Sequence, residues 1–234
     1  MAAAQLSQDQ AALVRLILPL YYSEEAIVKE EVDRAQVVWD KILNDTAPAY
    51  VARKADSSFA EEYPSCATWF FSEFYARLFD VHPAARPMFR AGLKSQGKFL
   101  VQLMTLALTL VLNQEKLNKV MLNLAEKHNE RGVKAIEYGI VGEVLFFTLR
   151  KVLGDEEFDA EVYKIWTKIM SRLLAIMVPS ALAHELRSGI NQEQRLALAD
   201  DSLNRQIEVK KGVRSGSTAV TVSSTAGATT KTDP

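Results

Sequence analysis

Three histidines and one cysteine are all the imidazole and thiol chemistry in this 234-residue chain, so a metal or nucleophilic site must be built on very few groups. Cys66 stands alone, which excludes an intrachain disulfide framework and a thiolate zinc cluster. His82 precedes Pro83 and His184 follows Pro179, and each reads most simply as a surface or capping residue. His128 is placed differently. It closes a helical stretch in LNLAEKHNERGV, with Leu124 one turn before it on the same face and Val133 shortly after. A neutral imidazole so placed can ligate iron through one ring nitrogen, as in a haem site. Its other nitrogen then donates to a backbone carbonyl one turn earlier, fixing the ring and raising its basicity. The same residue also reads as a solvated histidine near a helix C-terminus, where the dipole favours it. No glycine-rich phosphate loop, HExxH or GxSxG motif accompanies it.

The elements that must position these groups are helical. The chain is 48% hydrophobic and 24% charged, the balance of one ordinary globular domain with some surplus, and 10 glycines with 7 prolines are too few turn residues for many short strands. Val28, Val32, Ala35, Trp39 and Ile42 form one apolar stripe of a helix over 26–43, ended by Asn44 and Asp45. Residues 46–64 lack a clean period and read as a long connection containing a short turn of helix. Ser65 caps a helix through Trp69, Phe70, Phe74, Leu78 and Phe79 that His82-Pro83 breaks, and Pro83 and Pro87 predict a tight second helix over 84–89. The run FLVQLMTLALTLVL is apolar on nearly all sides and is expected at the centre of the core. A short helix over 115–127, with Leu117, Val120, Met121 and Leu124 inward, stops at Gly132. Two long helices follow, one over about 134–152 ending at Gly154, the other from about 157 until Pro179 kinks or ends it.

At this point the chain resembles the globin family, over roughly 32–178. The order of helices and the run LAEKHNERGVKAIEYGIVGEVLFFTL, which looks like the family's proximal region, carry the resemblance together. It implies an all-α globin fold, a helix-on-helix sandwich around haem b, with His128 as the proximal ligand to iron. FYARLFDVHPAARPMF looks like the family's second and third helices, so Phe89 falls at the phenylalanine that packs flat on the porphyrin, and Tyr75 where a side chain points to the distal face. Gln96 and Gln102 compete for the distal helix position. Gln96 leaves the longer interval before His128, and Gly97 makes KSQGK read like the family's KxHGK, so Gln96 is preferred. Leu100 then faces the bound ligand, with Leu93 and Met104 on the same side. Leu124, Val133 and Tyr138 complete the cofactor contacts. Tyr138 matches a tyrosine near the proximal histidine of flavohaemoglobins, whereas Ala181 stands where their final helix carries a glutamate, which argues against a strongly activated proximal ligand.

The resemblance implies a protein that binds dioxygen and other diatomic gases. Donors from Tyr75 and Gln96 would stabilise partly anionic oxygen and slow its release, giving oxygen binding, storage, scavenging or sensing. The Tyr and Gln pairing is similar to that of flavohaemoglobin globin domains. Nitric oxide dioxygenase activity is therefore the alternative, and with no flavin or nicotinamide domain recognisable after the globin body it would draw on a separate reductase. A haem-free helical interaction protein is the third class. No distal histidine is at hand, so bis-histidine coordination is not expected.

The remaining chain divides into 1–25, an N-terminal extension expected to be helical; 26–179, the globin domain; 180–211, a polar and helical extension; and 212–234, rich in Ser, Thr, Gly and Ala, a disordered tail. Leu13, Leu16, Ile17 and Leu20 need a surface, which is either the globin body or a homodimer partner. With 28 basic and 29 acidic residues there is no electrostatic footprint for nucleic acid or an anionic membrane. The apolar run over 11–22, interrupted by Arg15 and Pro19, is short of a membrane span, and a cytoplasmic protein is expected.

Overall fold

A computed structural model of the chain describes residues 7–89, 92–188, 200, 201, 203–208, 210 and 211. Every regular element among them is helical: α1 (Gln8–Ile17), α2 (Lys29–Leu43), α3 (Pro48–Arg53), α4 (Ser57–Glu62), α5 (Cys66–Val81), a 3₁₀ turn (Pro83–Phe89), α6 (Leu93–Leu110), α7 (Gln114–Glu130), α8 (Glu137–Leu153) and α9 (Ala160–Ser188). The connection expected over 46–64 holds two short helices rather than one turn. Pro48 opens α3, and the Asp56 carboxylate caps α4 by accepting the backbone N–H groups of Ser58 and Phe59. Ser65 caps α5 as expected, its hydroxyl accepting the Thr68 N–H. The tail over 212–234 lies outside the described residues.

The core is centred on α8 and α9, with α7 packed on α9 and α5 on α8. Trp39, Phe70 and Trp166 join α2, α5 and α9 in one aromatic cluster, with Trp39 and Phe70 edge to face at 5.2 Å. Contrary to expectation, α6 is not central. Only Gly97, Met104, Ala107 and Leu108 of it are buried, while Phe99 and Leu106 are exposed. Its apolar residues are divided between α5 and the wall of a cavity, and a cavity wall has the same composition as a core.

Pro179 does not end α9, which continues for nine further residues to Ser188. A proline removes one helical N–H and leaves the carbonyl four residues earlier without its usual partner. That carbonyl, of Ala175, accepts instead from Gln10 Nε2 of α1 at 3.4 Å. The N-terminal helix therefore lies on the helical body: Val14, Ile17 and Leu18 are buried and α1 runs against α9, although Leu16 stays exposed. Helix α9 is long and apolar enough to cross a membrane, yet most of its apolar stretch is buried inside this bundle. Residues 203–208 are helical, and Gln206 is buried with its Nε2 donating to the Ile17 carbonyl, which ties this extension to the N-terminal one.

Candidate functional site

Helix α7 begins with Asn113, whose Oδ1 accepts the Lys116 N–H, and stops where Gly132 takes φ +78°, a conformation that favours glycine. The chain then folds back so that the N–H groups of Arg131 and Val133 both donate to the His128 carbonyl, at 3.0 Å each. This turn fixes the last stretch of α7 and points the His128 ring into a cavity of about 430 Å³. His128 is half-buried and lines this cavity. Burial, assisted by the Arg131 charge, pushes its pKa down to about 4, so the imidazole is neutral near pH 7.

Nδ1 of His128 lies 3.3 Å from the Tyr138 hydroxyl in the first turn of α8. The expected partner, a backbone carbonyl one turn earlier in α7, is not the one found. Tyr138 is buried, which raises its pKa and keeps the phenol protonated. Nε2 makes no hydrogen bond among the described residues and is the nitrogen left to bind a ligand.

Tyr75 reaches the cavity from α5 inside an aromatic cluster, edge to face with Phe74 at 5.4 Å and with Phe89 at 5.1 Å. It is 5% exposed, and burial alone pushes its pKa up to about 12. Its hydroxyl makes no hydrogen bond among the described residues, so it stands as an uncommitted donor on the cavity wall. Phe89, at the end of the 3₁₀ turn, is held between Tyr75 and Phe79.

Gln96 and Leu100 lie one turn apart on α6 and both line the cavity, whereas Gln102 is exposed and does not. Gly97 explains how α6 comes so close to α5. A Cβ there would lie 2.3 Å from the Phe71 ring, so only glycine permits the approach. Met104 lines the cavity as expected, but Leu93 is exposed and outside it. Leu124, Val133 and Tyr138 line it too, so they share one cavity with His128, Phe89, Tyr75, Gln96 and Leu100, whereas Leu93 and Gln102 lie outside it.

The sequence did not reveal the polar edge. His82, read as a surface or capping residue, does close α5 with its backbone N–H, yet its side chain lines the cavity and Nε2 lies 2.7 Å from Glu137 Oε1. The other oxygen of Glu137 accepts the Lys134 N–H at 2.7 Å. Lys127 and Arg131 lie on the same lining. Neither a capping histidine nor a glutamate at a helix start has a period that marks it. The back wall, Met170, Leu173, Leu174 and Met177 of α9, does follow helical spacing.

Comparison with known proteins places a family on this region. The globin family model matches residues 72–177, from within α5 to the wall residue Met177. The flavohemoprotein of Rhizobium meliloti (strain 1021) is 31% identical over 107 residues, 44% of this chain and 26% of that protein. The flavohemoproteins of Halalkalibacterium halodurans and Bordetella pertussis are 30% and 29% identical over 108 and 111 residues, each covering 45% of this chain and 26% and 27% of their own lengths. The chain thus spans about a quarter of the length of the curated relatives it matches.

Proposed function

Given that residues 72–177 are a globin domain, a fold that binds diatomic gases on haem, we propose that this chain is a dioxygen-binding protein of high affinity and slow release. The observation that carries this reading is the pairing of His128 with the uncommitted Tyr75 hydroxyl in one apolar cavity.

The residues present fit haem b. The cavity lies within the range that takes a small organic cofactor, its walls are mostly apolar, and one neutral imidazole offers a free Nε2 for iron. Lys127 and Arg131 offer cations to the carboxylates of a porphyrin. Haem held there would supply the reversible gas site. His128 would ligate the iron, with Tyr138 orienting its ring through Nδ1. Phe89 would pack against the macrocycle, with Leu100, Leu124 and Val133 excluding water. Tyr75 would donate a hydrogen bond to the gas, and Gln96 would supply a second donor from α6.

Nitric oxide dioxygenation is the second reading, favoured by the flavohemoprotein relatives. The same two donors would hold dioxygen for reaction with nitric oxide, and the electron would come from a reductase outside the residues described. We propose a cytoplasmic location. Stopped-flow displacement of dioxygen tests the first reading, with release slower than about 1 s⁻¹ expected and release a hundredfold faster refuting it. Nitric oxide consumption by the oxygenated protein, repeated with an added reductant, separates turnover from simple binding.

A further inference from the structure

The chain has six methionines. Met1 lies outside the described residues, and the other five all line the cavity. They come from four elements: Met88 from the 3₁₀ turn, Met104 from α6, Met121 from α7, and Met170 and Met177 from α9. Met104, Met121, Met170 and Met177 are buried, and Met88 is half-buried. Away from the cavity, the described core is built from aliphatic and aromatic residues and contains no methionine.

Packing alone gives no reason for this confinement, because methionine fills irregular gaps anywhere in a core. What separates it from a leucine of similar size is its sulfur. A thioether accepts an oxygen atom from a hydroperoxide without first losing a proton. Cys66 offers little competition: it lies outside the cavity, and burial pushes its pKa up to about 12, which holds it as the unreactive thiol.

We propose that the methionine wall is a peroxide-oxidation site, at which hydrogen peroxide entering the cavity is consumed by Met104, Met121, Met170 and Met177. In each event the peroxide O–O bond breaks, one oxygen atom forms an S–O bond, and the other leaves as water. The sulfur loses two electrons and becomes a sulfoxide while the peroxide gains two. Each sulfoxide places a polar group in an apolar wall, so successive oxidations loosen the hold on haem. That consequence, though not the oxidation itself, rests on the haem reading above.

The test titrates the full-length chain, haem-free and after haem addition, with hydrogen peroxide and maps sulfoxides by peptide mass spectrometry. Rates are normalised to the denaturant-unfolded chain. The four buried methionines are expected to oxidise at least as fast as half-buried Met88, and a Met121→Leu/Met170→Leu variant is expected to retain haem at least threefold longer under peroxide. Oxidation of Met88 several-fold ahead of the other four overturns the proposal, as does equal haem loss from the variant. Failure to form a haem absorption band would instead sink the haem reading, and the order of oxidation in the haem-free chain would still decide the role of the methionines.

Discussion

Replacing Tyr75 by phenylalanine removes one oxygen atom from the cavity wall and little else. The ring of Tyr75 is held by Phe74, Phe79 and Phe89, contacts that phenylalanine reproduces. Because the hydroxyl makes no hydrogen bond among the described residues, the substitution leaves no buried protein group without a partner. Stability is therefore expected to change by no more than about 0.5 kcal/mol. The functional cost is different in kind. A hydroxyl donating to partly anionic oxygen in an enclosed site contributes about 2 kcal/mol, and its loss raises the dioxygen dissociation rate about 30-fold. Burial holds the phenol protonated, with a pKa of about 12, so the effect should be constant between pH 6 and 9. Carbon monoxide carries less charge, and its release should change less than threefold. Stopped-flow displacement measures both rates on wild type and variant. Dioxygen rates that agree within a factor of two would refute the donor role, and equal changes for both gases would point to altered access instead.

Three further outcomes follow from the packing and the electrostatics. Gly97→Ala drives a Cβ to within 2.3 Å of the Phe71 ring, so α6 must shift, and thermal unfolding should show about 1–3 kcal/mol of destabilisation with faster dioxygen release as Gln96 moves. Gln10→Ala leaves the Ala175 carbonyl without the donor that makes up for Pro179 and also removes the Oε1 that accepts the Ser7 N–H, so denaturant unfolding should report a loss of about 1–2 kcal/mol, reduced but not abolished in a Pro179→Ala background. In the haem-free chain His128 has a pKa near 4, against about 6.5 when unfolded, so the unfolded state takes up its proton first as the pH falls. Stability should drop by up to about 3 kcal/mol between pH 6.5 and pH 4, with a shallower slope for His128→Leu in urea unfolding.

Much of the site was legible because its residues sit on regular helices. His128 with Leu124 and Gln96 with Leu100 share helical faces, and the globin resemblance gave those faces a direction. What was missed depended on partners distant in the chain. Helix α9 continues through Pro179 because a glutamine of α1 takes up the freed carbonyl, and no local pattern announces that. The run over 99–112 looked like a core helix because an apolar cavity wall and an apolar core have the same composition. The imidazole of His82 turns inward to Glu137, while the sequence showed only a helix ending before Pro83. Tyr138, expected near the proximal histidine, takes the role at Nδ1 that was assigned to a backbone carbonyl.

The central claim is that His128 holds haem iron in this cavity, and titration of the purified, haem-free chain with haem tests it most directly. The wild-type protein should bind one equivalent and develop a sharp Soret band that shifts on reduction and again on carbon monoxide addition. His128→Ala should weaken or abolish that band, and free imidazole should restore it by entering the space left by the side chain. A wild-type chain that develops no Soret band, or a His128→Ala variant whose ferrous and carbon monoxide spectra match those of the wild type, would contradict the account.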